Sequence, residues 1–300
     1  MSDPTRSRRR FAINPGGGTM IGVKRSPWLS PMARIGTALV GIWILAVVLA
    51  PVVAPFDPTM TSPALLAPPS AQHIFGTDQL GRDVVSRVLW GSRISLPLAT
   101  LLVLGLVLIG GTLGAIAGYY GGVLDGAIMR IADLLFAFPI ILLAMAVTAS
   151  LGSGLRNAVL AIAFVAWPSY ARVVRGLVTS LSSADYVSAT RLLGASTRRA
   201  MVIDLMPNVA GPIVALATID IGRAVLLLSG LSFLGLGSQP PAAEWGSMVA
   251  TGTQHPDSWW LAVFPGFAIF SVVLGFSFLG DSLRDALDPK SSWSGRRQRT

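Results

Sequence analysis

Six stretches of the chain are apolar over the length that a lipid bilayer demands, and most of the charged residues collect between them. The stretches run roughly over Ile35–Ala54, Ile94–Ala117, Ala127–Ala149, Leu155–Val174, Val209–Gly230 and Trp259–Gly280. Crossing hydrocarbon as a helix takes about 20 apolar residues, whereas a water-facing domain alternates apolar and polar faces. The pattern predicts an all-α, polytopic membrane protein with six transmembrane helices. Pro97, Pro139, Pro168, Pro212 and Pro265 fall inside or near the ends of these spans. Neighbouring helices in a bundle can satisfy the backbone groups they free. Gly110, Gly114 and Gly118 recur at four-residue spacing in the second span, a stripe that lets helices pack closely.

Composition agrees with that class: 52% of the residues are hydrophobic and only 12% charged, with a mean hydropathy of +0.65. The chain has no cysteine, which excludes disulfides, thiol nucleophiles and thiolate metal sites. The net charge is +9, and its placement carries the information. Arg6, Arg8, Arg9, Arg10, Lys24, Arg25 and Arg34 precede or open the first span. Arg172, Arg175, Arg191, Arg198 and Arg199 lie between the fourth and fifth, and Arg284, Lys290, Arg296, Arg297 and Arg299 follow the sixth. Six spans put these three groups on one side, which the positive-inside rule makes cytoplasmic, so both termini are expected inside. The charge therefore reads as topology, and no nucleic-acid partner is expected.

Two segments between the spans have structure of their own. In Asp78–Arg93, Leu80, Val84, Val85, Val88, Leu89 and Trp90 fall near one helical face, opposite Arg82, Asp83, Ser86 and Arg87. That arrangement suits a helix lying in the membrane interface or packed on the bundle. Leu181–Asn208 reads LSSADYVSATRLLGASTRRAMVIDLMPN, a hydrophilic cassette between two spans. Ser182 or Ser183 can cap a short helix that runs to Leu193, and Gly194 suits the left-handed turn that ends it. Ser196 can cap a second helix, and Pro207 cannot continue that one. A helix–glycine–helix cassette there implies a partner on that side that grips it. The N-terminal Ser7-Arg8-Arg9-Arg10-Phe11 resembles a twin-arginine signal, but some two dozen mostly polar residues separate it from a full-length span. A disordered basic tail is the better reading.

Catalytic constellations are scarce. His73 and His255 have no accompanying ligand set at metal spacing. Gly230-Leu231-Ser232 begins like a nucleophile elbow but lacks the second glycine, and no GxxxxGK[ST] phosphate loop occurs. The chain is expected to be no enzyme and to hold no metal or cofactor. Asp220 and Arg223 stand out near the middle of the fifth span, three residues apart. A lone charge at that depth costs about 2.5–3.5 kcal/mol on insertion scales. They are read as a self-neutralising buried pair, a polar point on a translocation pathway, or a contact between subunits.

These residues carry a family resemblance. HIFGTDQLGRDVVSR (73–87), GSRISL (91–96), GYYGG (118–122), Phe138-Pro139, the 181–208 cassette, LSFLGLG (231–237) and LGDSLRDALDPK (279–290) follow in order. Over about residues 34–290 the chain resembles the second permease subunit of ABC importers of the dipeptide, oligopeptide and nickel class. The resemblance implies the type I importer permease fold and a cassette whose short helix docks in a groove on an ATPase. Its residues would be Asp185, Tyr186, Ser188, Ala189, Thr190, Arg191, Gly194, Ala195 and Pro207. Ser188 replaces the glutamate and Met206 the leucine that the pattern expects, which puts a salt bridge from position 188 in doubt. An acidic residue often found shortly before Leu231-Ser-Phe is Leu228 here, with Asp220 and Arg223 as its local substitute.

The implied partners are a homologous second permease, two ATP-binding cassette subunits that bind ATP and Mg, and an extracytoplasmic substrate-binding protein, with a peptide as substrate and lipid around the bundle. Nickel or another small solute is the other cargo this class takes. A secondary transporter would need coupling carboxylates within spans, and only Asp220 is available. The expected division is a basic disordered tail (1–33), a first span and the start of an external loop (34–72), a permease core (73–290) and a basic tail (291–300). The core includes the interfacial helix 78–93 and the coupling loop 176–208.

Overall fold

The computed structural model describes residues 30–182 and 206–287. Ser30 starts the first helix, α1 (Pro31–Val53): its hydroxyl accepts the Ala33 N–H at 3.1 Å, and Pro31 fits the first turn, where no N–H is needed. The Asp83 carboxylate caps α2 (Val84–Tyr120) in the same way, through the Ser86 N–H at 2.8 Å. Pro97 sits inside α2 without ending it. Gly121 and Gly122, at φ of 62° and 57°, take left-handed conformations that a side chain would resist. They turn the chain directly into α3 (Gly122–Phe136).

The third apolar stretch is not one straight span. α3 and α4 (Ile140–Leu151) meet at a 90° bend. Pro139 lacks an N–H and disfavours helical geometry at Phe138, so the helix stops there. Hydropathy over Ala127–Ala149 averages across the bend and cannot show it. The remaining helices among the described residues are α5 (Leu155–Ser182), α6 (Met206–Phe233), α7 (Trp245–Thr253) and α8 (Trp260–Leu287). Among the described residues five helices are long and apolar enough to cross a membrane, and a sixth crossing would be the bent α3–α4 pair. Outward-facing Leu45, Val48, Leu104, Leu108, Phe267 and Phe270 form the apolar exterior such a bundle needs.

The glycine stripe is a packing device. A methyl group added at Gly118 would lie 2.7 Å from the Arg175 carbonyl oxygen, and ones at Gly110 and Gly114 would overlap the carbonyls of Trp167 and Ala171. α2 and α5 therefore lie almost backbone to backbone. Gly280 of α8 similarly admits Ile219 of α6, and Gly36 of α1 admits the α8 backbone at Leu279.

Residues 78–93 do not form an interfacial helix. Asp78–Arg82 is a tight turn closed by Gly81 N–H to Asp78 O, at 2.9 Å, and the helix begins only at Val84. Its polar residues are enclosed along with its apolar ones: Arg82, Asp83, Ser86 and Arg87 are buried, as are Val84 and Val88. An interfacial helix needs its charges in water; here each finds a partner inside the fold. The first helix starts at Pro31, three residues before the boundary at 33/34, and α5 carries the first part of the 176–208 loop, to Ser182, as unbroken helix.

Candidate functional site

Asp220 and Arg223 lie where α6 faces a cavity of about 420 Å³ formed with α2, α4 and α5. Arg223 Nη1 donates to Asp220 Oδ1 at 3.1 Å. The pair is not sealed in the core: the Arg223 side chain is 66% exposed and that of Asp220 16%. The reading as a fully buried, self-neutralising pair therefore gives way to one that opens at its arginine end. α5 brings the third polar group. Gly110 on α2 lets the Tyr170 backbone approach so closely that an added methyl would meet Tyr170 Cβ at 2.7 Å. Tyr170 is thereby 1% exposed. Its hydroxyl lies next to the Asp220 carboxylate at a geometry that closes no hydrogen bond. Ser169 also lines the cavity; the other walls are apolar, among them Leu102, Ile162 and Leu216.

A second set of charges sits at the end of the bundle that carries residues 54–83. The Asp78 carboxylate accepts the N–H groups of Leu80 and Arg82 at 2.9 and 3.0 Å and Arg82 Nε at 2.7 Å. Arg87 Nε is 3.5 Å from the same carboxylate. The Arg87 guanidinium also donates to the carbonyls of Pro58, Pro241 and Ala242, joining three segments. Asp83, besides capping α2, meets His73 Nδ1 at 2.9 Å. Trp260 Nε1 donates to the Thr77 carbonyl and Trp245 Nε1 to that of Val88, at 3.1 and 3.0 Å. A 73–87 motif that carries a resemblance is thus a framework, with His73 hydrogen-bonded to Asp83.

Glu244 belongs to this framework. It caps α7, accepting the N–H groups of Gly246 and Ser247 at 3.0 and 2.9 Å, and Ser229 Oγ donates to it at 3.4 Å. Burial pushes its carboxyl above the usual range, while those two backbone N–H groups pull the other way. A carboxylate does stand beside the Leu228 region: that of Glu244, which reaches Ser229 from the start of α7.

Among the basic residues expected on the cytoplasmic side, Arg175 Nη2 bonds Asp125 Oδ2 at 2.6 Å. Arg172 pairs with Asp133 at 2.5 Å and covers the Phe136 ring at 4.2 Å from its centroid. Both pairs tie α3 to α5, and sequence reasoning missed both acids. It also missed Tyr170 and Glu244; a serine and tyrosine directly after Pro168 in an apolar span was the one available signal for the cavity. Asp185, Tyr186, Ser188, Ala189, Thr190, Arg191, Gly194 and Ala195 lie outside the described residues. Pro207 stands in the first turn of α6, a place proline suits. Among the described residues no three His, Asp or Glu side chains gather as a metal site would require.

The family described as "Binding-protein-dependent transport system inner membrane component" matches residues 110–293. A dipeptide transport system permease protein of Alkalihalophilus pseudofirmus is 42% identical over 275 residues, covering 88% of this chain and 90% of its own. A probable D,D-dipeptide transport system permease protein of Escherichia coli is 40% identical, over 95% of this chain and 97% of its own. A glutathione transport system permease protein of Pectobacterium atrosepticum is 46% identical over 74% of each. With its helices long and apolar enough to cross a membrane, its cavity and its likeness to these proteins over 74–95% of its length, the chain belongs to the family of binding-protein-dependent transport system inner membrane components.

Proposed function

We propose that this chain, a non-catalytic multi-pass permease subunit of the inner membrane, forms half of the translocation pathway of an ATP-driven importer of short peptides. One observation carries the pathway assignment: Arg223, near the middle of a span, has a side chain 66% exposed at a cavity mouth. Hydrocarbon does not accept a charge left open in that way, so water, cargo or another protein must face it. A homologous second permease closing over the same face would meet that need and turn the cavity into a shared path.

The chain works in a complex with other subunits. In this reading both termini and the 176–208 loop are cytoplasmic, and Asp185 through Ala195 dock on one of two ATP-binding cassette subunits, which bind ATP and Mg. Pro207 opens the helix that leads back to the cavity. An extracytoplasmic binding protein delivers the peptide to the 54–83 end. ATP binding favours one arrangement of the bundle over the other and shifts the population between inward-open and outward-open cavities. The relatives named for dipeptide and glutathione transport support a short peptide as cargo.

Reconstitution tests this. The chain purified with its associated subunits in liposomes is expected to accumulate labelled dipeptide only with ATP and the binding protein present. Gly194→Leu, which a left-handed turn at that glycine would penalise by about 1 kcal/mol or more, is expected to insert normally and abolish uptake. Accumulation driven by a proton gradient without ATP would overturn the assignment in favour of a secondary transporter.

A further inference from the structure

The groups around the cavity are only partly engaged with one another. Arg223 and Asp220 share one hydrogen bond, which leaves a second carboxylate oxygen and four guanidinium N–H donors outside that bond. The Tyr170 hydroxyl, enclosed beside the same carboxylate, makes no well-formed hydrogen bond and keeps its oxygen free to accept. A buried hydroxyl held so loosely gains from a ligand that completes its bonding. The acid and the phenol lie inward and the arginine lies outward, so the cavity presents a negative inner end and a positive mouth. Apart from Ser169, its remaining walls are aliphatic. About 420 Å³ is within the range of small-molecule sites, and an extended dipeptide is roughly 7 Å long.

We propose that Tyr170, Asp220 and Arg223 are a recognition point for a short peptide with both termini free. The peptide ammonium replaces Arg223 on Asp220 and donates to the Tyr170 oxygen, while Arg223 turns outward and holds the terminal carboxylate through two N–H groups. The exchange breaks one ion pair and makes two, so the site stays neutral and no charge is stranded at membrane depth. A peptide blocked at either end leaves Asp220 or Arg223 without its counter-charge, which is costly there. Aliphatic walls make no demand on side-chain charge, so the site reads the termini and tolerates varied side chains. This rests on the cavity being part of the pathway.

The test compares uptake of alanyl-alanine with that of its C-terminal amide in the reconstituted importer. The binding protein is saturated with each ligand, so the ratio reads the membrane step. The intact protein is expected to favour the free peptide, and Arg223→Gln to lower that preference roughly tenfold, the scale of one charged hydrogen-bonded contact. Tyr170→Phe, which leaves the ring packing in place, is expected to slow both ligands several-fold, because both carry the ammonium. N-acetyl-alanyl-alanine should be insensitive to Tyr170→Phe. If Arg223→Gln slows free peptide and amide by the same factor, the recognition point is overturned while the pathway stands. If neither variant alters uptake of any ligand, the pathway assignment falls with it. Should Arg223→Gln fail to assemble, Asp220→Asn/Arg223→Gln keeps the site neutral and must show the same loss of preference.

Discussion

The chain handles charge in two opposite ways at two depths. At the 54–83 end, Asp78, Arg82, Arg87, Asp83 and Glu244 are all enclosed, and each makes an ion pair or hydrogen bond to a neighbouring side chain or backbone group. In the middle of α6, Asp220 and Arg223 make a single bond to each other, and the arginine stands open. Charges whose bonds are filled from within the fold hold segments together; charges with bonding capacity left over await something that enters. Hydropathy treats both sets alike, as interruptions.

The contrast can be broken most severely at its closed end. Asp78→Ala would leave Arg82 and Arg87 enclosed without their carboxylate, which costs about 3–5 kcal/mol for a buried pair. The expected result is a large drop in the thermal midpoint of the purified protein, or in its yield from membranes. A variant as stable as the parent would show that this end is hydrated and that the contrast is false.

Next in size is the packing that presents Tyr170. Gly114→Val places branches against the Ala171 carbonyl, and overpacking of this kind costs about 1–3 kcal/mol. Thermal unfolding should report it, and α5 must move away from α2. Uptake should fall with it, whereas Gly41→Val, at a position with open space around it, should leave both stability and uptake near those of the parent.

Asp220→Ala and Arg223→Ala should affect stability least among the charge deletions. The pair opens to its surroundings at the arginine and is worth less than an enclosed one, so the thermal midpoint should fall by less than in Asp78→Ala while uptake falls strongly. If either single variant lost stability as Asp78→Ala does, the pair would be structural and the two regions equivalent.

The smallest effect is a pH dependence at Glu244. Its carboxyl is raised above the usual range by burial, so the folded state holds that proton more tightly than the unfolded chain does. The stabilisation this gives is fully present below the ordinary carboxylate value and is lost as pH rises through the raised one. Glu244→Gln removes the titration. Wild type should therefore gain on the variant, in thermal midpoint, as pH is lowered from neutral toward the ordinary carboxylate range. A difference that is flat with pH would place Glu244 in contact with water.

Much of this was legible in the residues, for identifiable reasons. Helices α1, α2, α5, α6 and α8 follow apolar runs long enough to cross a bilayer, and the Gly110, Gly114, Gly118 stripe marks where α2 meets α5. The bend at Pro139 was visible as a residue but not as an angle, because apolar content carries no direction. Residues 78–93 misled because helical periodicity assumes that charge faces water. Asp78 instead meets Arg87, and Arg87 meets Pro241 and Ala242, contacts that exist only once distant segments come together. Tyr170 was hidden by its own class: an aromatic residue in an apolar span reads as core until its hydroxyl is placed.

The central claim is that the cavity bearing Asp220, Arg223 and Tyr170 opens to water in the working complex. The chain has no cysteine, so Ser169→Cys introduces a single thiol into that wall. Its labelling by a small, charged, impermeant thiol reagent in the reconstituted importer is the direct measurement, with modification located by mass spectrometry. Ile42→Cys, on an outward apolar face, and Gln254→Cys, on an exposed loop, set the floor and ceiling. The account predicts labelling of the Ser169→Cys thiol from one side of the membrane without nucleotide and from the other with ATP trapped. A thiol as silent as that at position 42 in every state, beside a complex that still transports peptide, would contradict it.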